Sequence, residues 1–257
     1  MRLTFLDFTA PRGVIDASRN DTRALDPVQM DKLDWWIAAL KQEGIYTDLN
    51  LVVGRTYKPG DGVADHDQVG WAKALTFFDP TLIKLTREFA EQLLTHRNPY
   101  TDSEYRHEPA IAIVEVLNEN SLFDAWYNDR LRPLDGPVRD PNFRPIPAHY
   151  STALDRLFQA FLQKELGDAR LAGLRSKLGL AAGDPVPRLR PRDFALAPAE
   201  QFQAEAAFYT KLERDYYREF HAYLKDTLGV GSLTLAAMIS SVIKASIRWC
   251  GRTLKWM

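Results

Sequence analysis

The stretch Ala110–Asn120, AIAIVEVLNEN, constrains this chain more than any other. Its apolar run ends abruptly in an Asn-Glu pair, after a turn-rich lead-in carrying Asn98, Pro99, Asp102 and Pro109. A short β-rich run of this kind reads as a strand of a sheet buried on both faces. Counted in twos, Ala110, Ala112, Val114 and Val116 share one face; Ile111, Ile113, Glu115 and Leu117 share the other, joined by Glu119 if the pleat continues. The second face therefore carries one carboxylate halfway along and another at the C-terminal mouth. Burying two ionisable groups on a core strand costs free energy unless each is paired or used. Function is the simpler explanation, because parallel α/β sheets keep their chemistry at this edge.

Four segments follow the same grammar. Met1–Phe8 reads as a strand. Asp26-Pro27 opens a helix, with Asp as N-cap, Pro at the first helical position and Gly44 as the stop; Val28, Leu33, Trp36, Ile37 and Leu40 form its stripe. Ile45–Val53 is the next strand, with Asp48, Asn50 and Val52 on the interior face, where polar groups need partners. Asp79-Pro80 starts a second helix, whose inner stripe is Leu82, Leu85, Phe89 and Leu93. Strand, helix, strand, helix, strand with short returns predicts a parallel βαβαβ run.

At these residues the chain resembles a known family. E-V-L-N-E, with Glu115, Asn118 and Glu119, is similar to strand four of the retaining glycoside hydrolases of the large (β/α)8 clan that includes cellulases, mannanases and β-galactosidases. Arg2 matches the clan's strand-two arginine, and G-I-Y-T-D-L-N from Gly44 to Asn50 closely resembles strand three of one subgroup. The resemblance implies an incomplete TIM barrel covering strands two to five, as a single partial domain over 1–257. It implies Glu119 as the general acid and then base, Asn118 as the ligand of the sugar 2-hydroxyl, and Arg2 as the contact of the catalytic nucleophile. The expected substrate is an oligo- or polysaccharide with β-linkages, with no cofactor and no metal. The family's second glutamate, at the end of strand seven, has no match here, so the chain alone is expected to lack turnover. A non-catalytic carbohydrate-binding remnant and a gene fragment without function are the alternatives. Relatives in the subgroup often carry histidines where this chain has Thr4, Phe5 and Val52.

The remaining segments supply walls and connectors. Gly54–Phe78 is a long loop holding Arg55, Tyr57, His66 and Trp71, expected as a substrate wall; His66 between two aspartates reads as a solvated turn. After Glu119 the chain departs into a helical and loop insertion over 120–198, where Phe123, Trp126 and Tyr127 lie beside the expected site. Asn50, Arg55, Trp71 and Trp126 complete the expected substrate-binding set with Asn118 and Arg2. Tyr150–Leu178 is helical, with Leu154, Leu157, Phe158, Phe161 and Leu162 as its stripe. Arg188, Arg190 and Arg192, in a Pro-rich connector, read as a solvated face. A long helix spans about Glu200–Leu228, and Ser232–Ala236 begins strand five.

The balance of residues adds exclusions. A net charge of −1 nominates neither nucleic acid nor an anionic membrane as partner. Cys250 is the only cysteine, which excludes an internal disulfide. Met1 runs directly into a strand, so no signal peptide is expected, and the apolar stretch near Ser232–Ile243 is too short to cross a bilayer. The tail, 237–257, holds four basic residues and no acidic ones. It reads either as a basic amphipathic helix or as a slip of the reading frame near Met238.

Overall fold

The computed structural model describes residues 1–133, 137–138 and 140–237. The tail that reads as a helix or a frame slip lies outside them, apart from Ala237. Strands β1 (Arg2–Leu3), β2 (Thr47–Val52), β5 (Ile111–Asn118) and β6 (Leu233–Ala237) form one sheet in the order β1-β2-β5-β6, with every neighbouring pair parallel. Helices α1 (Pro27–Gln42) and α2 (Pro80–Leu94) supply the first two crossovers. This is an α/β architecture whose strands are added in chain order, as in a barrel and unlike a doubly wound sheet.

Both crossover helices start as their sequence dictates. Asp26 and Asp79 accept hydrogen bonds from the amides of Gln29 and Leu82, and a proline follows each cap. Each cap satisfies a backbone donor that the first helical turn leaves free. Gly44, at φ 69°, turns the chain out of α1 and straight into β2. The α2 stripe is as expected: Leu82, Leu85, Phe89 and Leu93 are all buried against the sheet. Each such side chain contributes about 1.5–3 kcal/mol of transfer free energy.

Several local expectations need correction. The first strand is two residues long, because Phe5 adopts a left-handed φ of 62° and breaks the pleat. On α1 the buried set is Met30, Leu33, Asp34, Ile37 and Ala38, while Val28 and Trp36 face solvent. The cause is Asp34, which is buried under a hairpin, β3 (Arg97–Asn98) and β4 (Ser103–Glu104). Tyr105 donates its hydroxyl to Asp34 at 2.7 Å, and a ring nitrogen of His96 lies 2.8 Å from it. A satisfied carboxylate thus takes the place a tryptophan was expected to fill.

The excursion after β5 contains α3 (Leu122–Tyr127), α4 (Ala148–Lys177) and α5 (Ala199–Ala222), the last widening into a π turn over Tyr223–Thr227. Gly167 interrupts α4 with non-helical angles. Leu154, Phe158 and Leu162 are fully buried, but Leu157 is exposed. Arg188 is not on a solvated face. It is buried and donates to the carbonyls of Leu131 and Ser151, the Ser151 hydroxyl and Asp155. Arg192 does face solvent. Among the described residues no helix is long and apolar enough to cross a membrane.

Candidate active site

Strand register builds the inner face of the sheet. Arg2 pairs with Asp48, Asp48 with Ile113 and Ile113 with Leu233; one row further, Asn50 pairs with Glu115 and Glu115 with Leu235. Paired residues in a sheet project to the same side. The polar groups of three strands therefore meet on one surface, at its C-terminal half.

Arg2 is the hub. Its Nε and Nη2 donate to the two carboxylate oxygens of Glu115, both at 2.8 Å, and Nη2 also donates to Asn118 Oδ1 at 2.6 Å. Asp48 lies 3.9 Å away. A two-pronged guanidinium–carboxylate contact fixes orientation as well as charge. Burial raises the Glu115 carboxyl above the usual range, and Arg2 opposes that shift; Asp48 is raised by burial in the same way, again against Arg2. Asn50 is wholly buried beside Glu115, and neither amide atom has a hydrogen-bond partner among the described residues.

Glu119 stands apart from this row. The strand ends at Asn118, and Glu119 takes a left-handed φ of 45°, so the pleat does not carry on. Its exposed side chain lines a cleft with Lys73, Asp124, Arg130, Phe143 and Arg144. Asn120 anchors the turn from below: its Oδ1 accepts the amide of Ala74 at 2.9 Å and its Nδ2 donates to Thr76 Oγ1 at 2.8 Å. Glu213 on α5 accepts both the Ser121 hydroxyl and the Leu122 amide, which caps α3.

The other expected residues divide. Trp71 is half-buried at this mouth, packed between Phe8 and Phe143 at ring distances of 6.0 and 5.3 Å. It rests on Gly54, where a Cβ would come within 2.6 Å of the indole. Gly54→Ala is therefore expected to push Trp71 outward at a cost of about 1–3 kcal/mol; a melt unchanged from wild type would show that the ring shifts freely. Arg55 is buried and holds Thr22 and the Leu85 carbonyl, with no face toward the cleft. Trp126 is also buried, its indole N–H on the Leu189 carbonyl and its ring stacked on Phe202 at 5.0 Å. The structure assigns both residues to packing and leaves them away from the Arg2 cluster.

Two contributors carry no signal in the sequence. Asp7 is buried and accepts the amides of Val53 and Gly54 at 2.9 Å each, tying the loop after β1 to the end of β2; burial raises its carboxyl despite those bonds. Lys73 lies over the end of β5, and nothing in a single lysine within a long loop signals that position. His66 joins no cluster: among the described residues no group of three or more His, Cys, Asp or Glu side chains is arranged to hold a metal ion.

The fold and site together define an α/β chain with ionisable side chains gathered at the C-terminal ends of parallel strands. No protein-family model and no curated protein matches it. Three solved structures are similar to parts of it. An endo-β-1,4-mannanase from Thermotoga petrophila shares 25% identity over 40% of this chain and 22% of that one, at a TM-score of 0.31. An endo-1,4-β-mannanase from Rhizomucor miehei shares 15% identity over 63% of this chain and 44% of its own, at 0.38. A hyperthermostable endo-1,4-β-D-mannanase from Thermotoga petrophila RKU-1 shares 15% over 81% and 68%, at 0.30. The chain thus spans less than half the length of the first two. TM-scores this low assign neither fold nor activity.

Proposed function

We propose that this chain carries the acid/base part of a retaining glycosidase site for β-linked carbohydrate, on a partial (β/α)8 domain spanning 1–257. One observation carries the reading: the Arg2 guanidinium joins Glu115 to Asn118 directly before Glu119, at the C-terminal edge of a parallel sheet. In this scheme Glu119 protonates the glycosidic oxygen and later activates water, while Asn118 grips the 2-hydroxyl, a contact that strengthens as positive charge grows on the sugar ring. A retaining mechanism needs a second carboxylate about 5–5.5 Å from the first. Glu115 does not supply it: it lies under Arg2 on the inner face and is not among the residues that line the cleft with Glu119. Leu233 and Leu235, 73% and 49% exposed on that same face, support the view that the working enzyme covers this surface with further strands.

The 257-residue chain is accordingly expected to release no aryl group from aryl β-glycosides above buffer, yet to bind β-linked gluco- or manno-oligosaccharides saturably. Asn118→Ala should weaken that binding about tenfold. Titration calorimetry reads the second effect. Turnover that disappears in Glu119→Gln would refute the inactivity, and a chain that binds no oligosaccharide would refute the site. A purely carbohydrate-binding remnant is the second reading, favoured by the Trp71–Phe143 wall beside the cleft; retained binding in Glu119→Gln together with Asn118→Ala would select it.

A further inference from the structure

Two strained segments meet above the end of β5. Ala72 and Ala74, which flank Lys73, have φ values of 50° and 69°, and Glu119 opposite them has 45°. Residues with a Cβ are held in the left-handed region only where their surroundings over-determine it, and such strain gathers at functional sites. Here the surroundings are specific. Lys73 Nζ donates to the carbonyl of Asn118 at 2.7 Å and to that of Glu119 at 3.2 Å, the two carbonyls that flank the Glu119 Cα. Asn120 ties the same turn to Ala74 and Thr76.

We infer that Lys73 is a positioning residue whose ammonium, by gripping the carbonyls on either side of Glu119, fixes the left-handed turn that aims this carboxylate into the cleft. The role of Glu119 as proton donor rests on the function proposed above; the grip itself does not. The aromatic rings of Trp71 and Phe143 lie 5.7 and 5.3 Å from Nζ, and Lys73 is half-buried beside them. Among the described residues, the charged groups facing Lys73 are Glu119 after β5, Asp124 on α3, Arg130 beyond α3 and Asp7 after β1, with Arg144 on the same cleft wall. Burial brings the Lys73 ammonium down to about 8, against the pull of the Glu119 carboxylate. A neutral amine is a weaker donor than an ammonium, so the grip loosens as pH rises through that value.

The test is carbon-13 labelling of the backbone carbonyls of Asn118 and Glu119, followed from pH 6 to 10 in the sugar-free chain carrying Glu213→Gln, because the Glu213 carboxyl bonds Ser121 and Leu122 and is itself pushed up to about 7. Both resonances are expected to move together with a midpoint near pH 8. In Lys73→Arg, whose guanidinium stays charged, the step should vanish over this range. In Lys73→Met both carbonyls should sit at every pH near the high-pH positions seen with Lys73 in place. Carbonyls that stay still with Lys73 in place, or a step that survives in Lys73→Arg, would overturn the inference. So would low-pH shifts in Lys73→Met, since they would mean that only the packed methylenes matter. Oligosaccharide titration is a separate arm: no binding to wild type sinks the glycosidase reading and leaves the carbonyl result standing.

Discussion

Replacing Arg188 by methionine is expected to destabilise the chain by about 3–5 kcal/mol, the range for breaking a buried charged network from one side. The melting temperature should fall by on the order of 10 °C. The guanidinium is buried between α4 and α5, donating to Asp155 at 2.6 Å, to the Leu131 carbonyl at 3.0 Å and to the Ser151 hydroxyl at 2.9 Å. Methionine fills part of the volume but leaves those acceptors without donors. Arg188→Lys should recover less than half of the loss, because one ammonium cannot reproduce a planar fork. Arg192→Ala, four residues away on the exposed side, should stay within about 0.5 kcal/mol of wild type. Equal melts for the Arg188 and Arg192 variants would refute this account of the insertion.

The second large effect is a loss of stability as pH rises from about 4.5 to about 7. Glu205 and Glu213 are buried on α5, and burial pushes each carboxyl up from 4.5 to about 7. Hydrogen bonds from the Leu189 amide to Glu205 and from the Leu122 amide and Ser121 to Glu213 oppose the shift without cancelling it. Between these values the folded chain keeps protons that the unfolded chain has already released. Stability conferred by the protonated forms is full below pH 4.5 and drains as pH climbs to about 7. Each group contributes at most on the order of 3 kcal/mol across that window. Thermal melts in a pH series read the slope, and Glu205→Gln combined with Glu213→Gln should flatten it. A melting temperature that rises with pH, or a slope unchanged in the double variant, would sink the prediction.

Much of the frame was legible because the residues that start and stop elements act locally. Asp26-Pro27 and Asp79-Pro80 cap their helices with side chains three residues from their amide partners. The alternation in Ala110–Leu117 needs only a pleat to place Glu115 beside Asn50, and the register does so. The α1 stripe holds at Leu33 and Ile37 and departs at Val28 and Trp36, because burial there is also set by His96 and Tyr105, 62 and 71 positions along the chain from Asp34. The β3–β4 hairpin escaped notice because two-residue strands have no period to detect. At the site, Arg2 bonds Glu115 and Asn118, a pairing across strands that the sequence does not spell out. Lys73 and Asp7 were hidden, since loops deliver them through backbone turns that no spacing encodes. Arg55 and Trp126 misled for a related reason: a residue placed near the mouth by sequence can still turn inward to satisfy the core.

The register also determines where the chain tolerates added backbone. One extra residue within Asp48–Val52 would turn Asn50 toward the helices and bring Leu51 to the polar side, exchanging the two surfaces of β2 at once. The sheet already accommodates two irregular steps, between Thr47 and Asp48 and between Glu115 and Asn118. Both border the Arg2 cluster, so the places where pairing slips are the places where insertions and deletions can be absorbed without inverting a strand.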